Sequence, residues 1–324
     1  MEIAEVSKRS NIICDKISEF IIGKKQVIEK VMIALLADGH ILFEDFPGLA
    51  KTLMARLFSE AISANFKRVQ FTPDLLPSDI TGSYIYNQKL QEFEFRKGPI
   101  HTNILLADEL NRSPPKTQAA LLEAMQEYQV TIEGKTFHLE PPFWVIATQN
   151  PIELEGTFGL PEAQVDRFLV RLRIGYPDQN EENNILMNRI KRQSKNMSID
   201  QPIISIDEFI RMQKAIEGVK VVPDILNYIT SIVQATRTHP KLEIGASPRG
   251  SLALLSLARA SAAFHGRDYV TPEDVKEFAI PALAHRVILK SGEWLGGIAA
   301  ESVILDVLSN VVAPRKDISL ELEK

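Results

Sequence analysis

From Ile104 to Ala107 the chain reads Ile-Leu-Leu-Ala without a polar break, and it then closes on two carboxylates, Asp108 and Glu109. A short run that is apolar at every position, rather than at alternate ones, is what a strand buried on both faces looks like. Such strands belong to parallel sheets covered by helices on both sides. Two further runs have the same character, Gly39-His40-Ile41-Leu42-Phe43-Glu44 and Pro142-Phe143-Trp144-Val145-Ile146-Ala147-Thr148. With helical segments between them they predict an α/β fold. Open sheets of this kind gather ligand-binding groups beyond the carboxyl ends of their strands. In this chain those ends carry Asp45 to Thr52, Asp108-Glu109 and Gln149-Asn150.

The first of these, Asp45-Phe46-Pro47-Gly48-Leu49-Ala50-Lys51-Thr52, stands between a strand and the helical segment that begins at Leu53. It approximates the phosphate-binding pattern G-x-x-x-x-G-K-[ST], in which backbone N–H groups turn inward around phosphate oxygens and a lysine supplies positive charge. Pro47 and Gly48 keep the turn, and Lys51 and Thr52 have the required spacing. Two positions depart from the pattern. Ala50 adds one methyl group, and Asp45 brings a carboxylate that would repel phosphate if it turned toward it. The expected phosphate cradle is Pro47, Gly48, Leu49, Ala50, Lys51, Thr52 and Leu53. The acidic pair completes a nucleotide site, with Asp108 and the Thr52 hydroxyl as Mg²⁺ ligands and Glu109 acting on water. Asn150, a polar amide at the third strand's end, is placed to orient that water.

Arginines beside turns occur further on, Arg167 in Leu160-Pro161-Glu162-Ala163-Gln164-Val165-Asp166-Arg167-Phe168 and Arg249 in Gly245-Ala246-Ser247-Pro248-Arg249-Gly250. Alone, each reads as a solvated side chain. In their order along the chain, however, the five segments resemble the AAA+ ATPases. The wording of Ala107 to Arg112, Ala147 to Pro151 and Glu162 to Phe168 is similar to the MoxR family, as are Ile22-Gly23-Lys24 and Leu283-Ala284-His285-Arg286-Val287. The resemblance implies ATP and Mg²⁺ as cofactors and ATP hydrolysis as the reaction. It makes Lys51 and Thr52 the Walker A residues, Asp108 and Glu109 Walker B, Asn150 sensor 1, Arg167 the arginine finger and Arg249 sensor 2. Ile22 and Gly23 would lie near adenine. It also implies a homo-oligomeric, hexameric ring that remodels or matures partner proteins in a chaperone-like way, with von Willebrand factor A domain proteins as clients. Whether Arg249 acts in its own subunit or a neighbour's, and whether Arg112 also acts in trans, stays open. So do two alternatives: a nucleotide-gated scaffold that scarcely hydrolyses, and a DNA-remodelling motor.

A chain of 324 residues with 45% apolar content is expected to form two domains with real cores. Before Tyr176-Pro177 strands alternate with helices. After it, Ile225 to Thr236 and Leu252 to Phe264 show helical spacing. The division expected is a nucleotide-binding α/β domain over 1–176 and an all-helical lid over 177–324. Thr271-Pro272-Glu273-Asp274 reads as a helix start. Two insertions read as hairpins, Gly82 to Phe95 and Tyr128 to Leu139, serving equally well to lengthen the sheet or to meet a client. Net charge of −5, from 37 basic and 42 acidic residues, argues against a general affinity for nucleic acid. The basic group Arg189, Lys191, Arg192 and Lys195 reads as a solvated helix face and its exit. No apolar run reaches the roughly eighteen residues of a membrane span, and Met1 to Glu5 do not begin a signal peptide, so a cytoplasmic location is expected. Six histidines form no H-E-x-x-H pattern, and the single Cys14 cannot build a thiolate metal site. Gly245 to Arg249 lacks the closing glycine of a nucleophile elbow, which excludes a serine hydrolase.

Overall fold

The computed structural model describes residues 1–150, 157–193 and 196–314, so Pro151 and Lys195 lie outside the described residues. Helices α1 (Ile3–Ser18) and α2 (Lys25–Leu36) lead into strand β1 (Ile41–Glu44) and helix α3 (Lys51–Ala61). Then follow β2 (Phe66–Gln70), α4 (Pro77–Thr81), β3 (Gly82–Asn87), β4 (Glu92–Lys97), β5 (Ile104–Asp108) and α5 (Pro115–Glu127). The first half closes with β6 (Gln129–Ile132), β7 (Lys135–His138), β8 (Trp144–Gln149), α6 (Glu162–Val165) and β9 (Val170–Leu172).

Five of these strands form one sheet in the order β2-β5-β8-β1-β9, with every neighbouring pair parallel. The apolar runs behave as their composition requires. Ile41, Phe43, Ile104, Leu106, Trp144 and Ile146 are buried on one face, and Leu42, Leu105, Ala107, Val145 and Ala147 on the other, against Leu121, Leu122 and Met125 of α5. Because β5, β8 and β1 are adjacent, the loop after β1, the acids closing β5 and the amide after β8 leave the sheet side by side.

Strand β1 begins two residues later than its apolar run. Gly39 passes so close to Leu169 that a Cβ there would lie 2.1 Å from that side chain. His40 is buried and joins three elements: its Nε2 donates to the Met125 carbonyl of α5 (3.0 Å), and its Nδ1 accepts from the Val145 N–H of β8 (3.0 Å). The two insertions are antiparallel hairpins, β3 with β4 and β6 with β7, and each is a ribbon of its own. They therefore do not lengthen the sheet. Tyr86 and Phe93 stand exposed on the first.

After β9 come α7 (Gln179–Arg192), α8 (Ile206–Ile216), α9 (Pro223–Thr238), α10 (Pro248–Phe264), α11 (Pro272–Leu283), α12 (Ser291–Leu295) and α13 (Ala300–Asn310). A short ribbon, β10 (Leu242–Ile244) with β11 (Ile288–Leu289), sits among them. Thr271 stands at the N-cap of α11 as its sequence suggests, and its N–H donates to the Asp274 carboxylate at 2.8 Å. One apolar cluster contains Ile13 and Ile17 of α1, Met32 of α2, Phe209 of α8 and Leu254 and Leu257 of α10, so the helices of both halves share a core. Helix α7 buries no residue, and its basic residues Arg189 and Lys191 are exposed. Among the described residues no helix is long and apolar enough to cross a membrane.

Candidate functional site

The loop after β1 turns through two residues of positive φ, Gly48 (83°) and Ala50 (58°). A Cβ at Gly48 would meet nothing within 4 Å, so glycine is required there by its dihedral and not by space. Ala50 holds the left-handed conformation that the phosphate-loop pattern assigns to glycine, at a cost of about 1–2 kcal/mol. Helix α3 then begins at Lys51, which puts Lys51, Thr52 and Leu53 in a first turn whose N–H groups lack intrahelical partners and form the positive end of the dipole. The Lys51 ammonium is buried and donates to the Asp45 carbonyl at 2.6 Å. Burial lowers its pKa from the ordinary lysine value, and the carboxylates of Asp45, Asp108 and Glu109 oppose that shift. The lysine thus feels all three acids.

Asp45 does not turn toward the loop's interior. Its Oδ2 accepts from the backbone N–H groups of Ile174 (2.6 Å) and Gly175 (2.8 Å), and its Oδ1 from that of Phe46 (2.9 Å). The carboxylate thus staples the start of the loop to the segment that follows β9. The Phe46 ring stacks on Tyr176 with centroids 5.4 Å apart, in the same direction. The carboxylate is thus committed to these backbone N–H groups rather than turned toward the loop, the orientation in which it would repel phosphate.

Asp108 and Glu109 share a residue that sequence reasoning passed over. Thr148 of β8 donates its hydroxyl to Asp108 Oδ1 (2.6 Å) and accepts the Glu109 N–H (2.8 Å), so one side chain fixes both acids. Asp108 Oδ2 accepts from Arg68 of β2, Nη2 at 2.7 Å and Nε at 3.1 Å. Glu109 has φ of 56°, and its carboxylate pairs with Arg112 at 3.0 Å. Asn150, buried at the end of β8, accepts through its carbonyl from Asn111 Nδ2 at 3.3 Å. Thr148 could have been found as the one hydroxyl in an apolar run. Arg68 had no such signal.

Lys51, Thr52, Asp108, Glu109 and Asn150 are therefore brought together at the carboxyl edge of three adjacent strands. An open turn at Gly48, a helix N-terminus and a buried lysine fit a polyphosphate. The Thr52 hydroxyl and the Asp108 carboxylate fit a hard divalent cation. Ile22 and Gly23 lie between α1 and α2, against the start of the second half: Lys24 Nζ donates to the Tyr176 carbonyl (3.0 Å) and pairs with Glu181 (3.2 Å). A Cβ at Gly23 would collide with the Glu181 side chain.

Arg167 and Arg249 are elsewhere. Both line a cavity of about 340 Å³ whose wall includes Asp38, Gly39 and His40, the residues leading into β1. The Leu169 N–H donates to the His40 carbonyl at 2.8 Å, which fixes the Arg167 turn at that end. The phosphate loop is at the other end of β1, so within one chain neither arginine shares a site with Lys51.

Residues 40–170 match the model of the ATPase family associated with various cellular activities (AAA), and residues 234–304 match an AAA lid domain. An uncharacterised Bacillus subtilis protein, YeaC, is 49% identical over 93% of both chains. Chaperone MoxR1 of Mycobacterium tuberculosis is 42% identical, over 93% of this chain and 81% of its own. The crystal structure of a putative ATPase from Cytophaga hutchinsonii superposes with a TM-score of 0.89 at 41% identity, covering 96% of each chain. With the phosphate loop and acidic pair on adjacent strand ends and relatives of this identity along nearly its whole length, the chain belongs to the MoxR family of AAA+ ATPases.

Proposed function

We propose that this protein hydrolyses ATP with Mg²⁺ as a subunit of a ring, hexameric by family likeness, and that hydrolysis drives chaperone-like remodelling or maturation of partner proteins in the cytoplasm. Residues 1–176 act as the nucleotide-binding unit and 177–324 as its lid. The observation that carries the reading is the division of labour between two ends of one strand. Lys51, Thr52, Asp108, Glu109 and Asn150 gather at the carboxyl end of the sheet, while Arg167 and Arg249 line a cavity at the other. A subunit carries at that edge the groups that hold phosphate, with Arg68 and Arg112 tied to Asp108 and Glu109; Arg167 and Arg249 lie away from it, and a neighbour turned toward it supplies them. On this reading both arginines act in trans.

Bound Mg²⁺, which the Thr52 hydroxyl and the Asp108 carboxylate would hold, would neutralise phosphate charge. In the protein, Lys51 leaves the Asp45 carbonyl for the phosphates, and the first-turn N–H groups of α3 donate to the phosphate oxygens. Thr148 fixes the Asp108 carboxylate and the Glu109 backbone. The Glu109 carboxylate, released from Arg112, polarises the attacking water, and Asn150 aligns it. Arg167 then meets charge that develops only in the transition state.

The chaperone role rests on the name of the Mycobacterium tuberculosis relative. A von Willebrand factor A domain client is carried over from the family resemblance. A scaffold that scarcely hydrolyses loses its motive, because the Asp45 carboxylate is engaged by backbone N–H groups. Steady-state ATPase measured against protein concentration tests the proposal. Specific activity should rise as subunits assemble, and Arg167→Ala should lower turnover by about 10³-fold or more while ATP binding persists. A stable monomer of constant specific activity would sink it.

A further inference from the structure

We propose that Arg286 is a positioning residue which, through Asp166, sets Arg167 and Arg249 as one two-arginine unit for the neighbouring subunit's nucleotide. The inference rests on the reading above, that these arginines act in trans, and adds the residues that aim them.

Arg286 lies just beyond α11, with its side chain 3% exposed. Its Nε donates to Asp166 Oδ1 (2.7 Å), and its Nη2 to the carbonyls of Asp166 (3.0 Å) and Phe168 (2.8 Å). Nη1 donates to the Leu169 carbonyl (3.1 Å) and to that of Ala282. His285 adds a bond from Nε2 to the Phe168 carbonyl at 3.0 Å. One buried guanidinium thus grips the backbone on both sides of Arg167. The planar fork of arginine suits this task, because five fixed donors can hold several acceptors at once, whereas an ammonium is a point charge.

The grip matters because Arg167 has little of its own. Its Nε is buried without a hydrogen-bond partner among the described residues, so at that atom no side-chain bond adds to the hold that Arg286 has on the backbone. Asp166 extends the control to the second arginine. Its Oδ2 lies 3.4 Å from Ser247 Oγ and 3.6 Å from Arg249 Nη1, at the start of α10. A single carboxylate is shared between the buried Arg286 and the half-exposed Arg249. Gly250 closes the arrangement, since a Cβ there would lie 2.9 Å from Leu283, so the start of α10 packs directly on the end of α11.

The test uses full-length Arg286→Lys, alone and mixed before nucleotide is added with Glu109→Gln, which cannot hydrolyse but keeps its arginines. Alone, Arg286→Lys should bind ATP within about two-fold of the native protein and lose kcat by about 10²-fold or more. In the mixture activity should return several-fold, because the variant's intact phosphate loop is then served by a Glu109→Gln neighbour. A subunit that had merely lost its fold would not be rescued. Should Arg286→Lys fail to fold, Asp166→Asn, which keeps the side chain's shape, is expected to give the same loss and rescue. Native kcat in Arg286→Lys, or no rescue while the parallel mixture of Arg167→Ala with Glu109→Gln is rescued, overturns the proposal and leaves the trans reading standing. Failure of the Arg167→Ala mixture as well would mean that the trans reading itself is wrong.

Discussion

Asp45 shows how much of a residue's meaning lies in where its side chain goes. A carboxylate at the head of a phosphate loop is repulsive only if it faces the phosphates, and here three backbone N–H groups hold it the other way. Asp45→Asn therefore has a definite expected outcome. The amide presents one acceptor oxygen and an NH₂ that opposes an existing donor, so stability should fall by about 1–3 kcal/mol in denaturant unfolding. ATP affinity should weaken with it as the loop loosens. Tighter ATP binding by Asp45→Asn would mean that the side chain faces the nucleotide. Thr148 has an equally specific role, since its hydroxyl serves Asp108 and the Glu109 N–H together. Thr148→Val keeps the shape of the strand and leaves that N–H and a carboxylate oxygen short of a partner. Turnover should drop more than ATP affinity, read as a kcat change with KM nearly constant.

The buried histidines work at the scale of elements, because each ties together segments distant along the chain. His40 donates to α5 and accepts from β8, and His285 donates to the turn after Arg167. Burial depresses both pKa values below the ordinary 6.5, His285 strongly. The unfolded chain then takes up protons near pH 6.5 while the folded one does not, so stability present above pH 6.5 is lost as pH falls below it. The slope approaches about 1.4 kcal/mol per pH unit for each histidine within its window. Urea unfolding at a series of pH values from neutral to mildly acidic checks this, and a gain of stability on acidification would contradict it. The β3–β4 ribbon stands at the opposite extreme. Phe93 is 68% exposed, and Phe93→Ala should change unfolding free energy by less than about 0.5 kcal/mol.

Across the whole molecule, a core shared between α1, α2 and the later helices fixes the two halves relative to each other, and the sheet keeps the phosphate loop and the two arginines at opposite ends of one strand. On the reading proposed above, that separation is why a neighbouring subunit supplies the two arginines. Much of this was legible beforehand: two-sided apolar runs dictate a parallel sheet, the Lys51-Thr52 spacing marks the loop, and turn residues such as Glu133-Gly134 mark a hairpin. These are local regularities, set by backbone period and by which residues tolerate a turn, and a chain carries them in its order of letters. Nothing local told which way Asp45 would point, that Arg68 and Thr148 would attend Asp108, or that Arg286 would grip the turn at Asp166. Those contacts join residues separated by 129 positions for Asp45 and Ile174 and by 120 for Arg286 and Asp166. A hydrogen bond between distant segments depends on packing that brings them within 3 Å or so, and only the folded chain decides that.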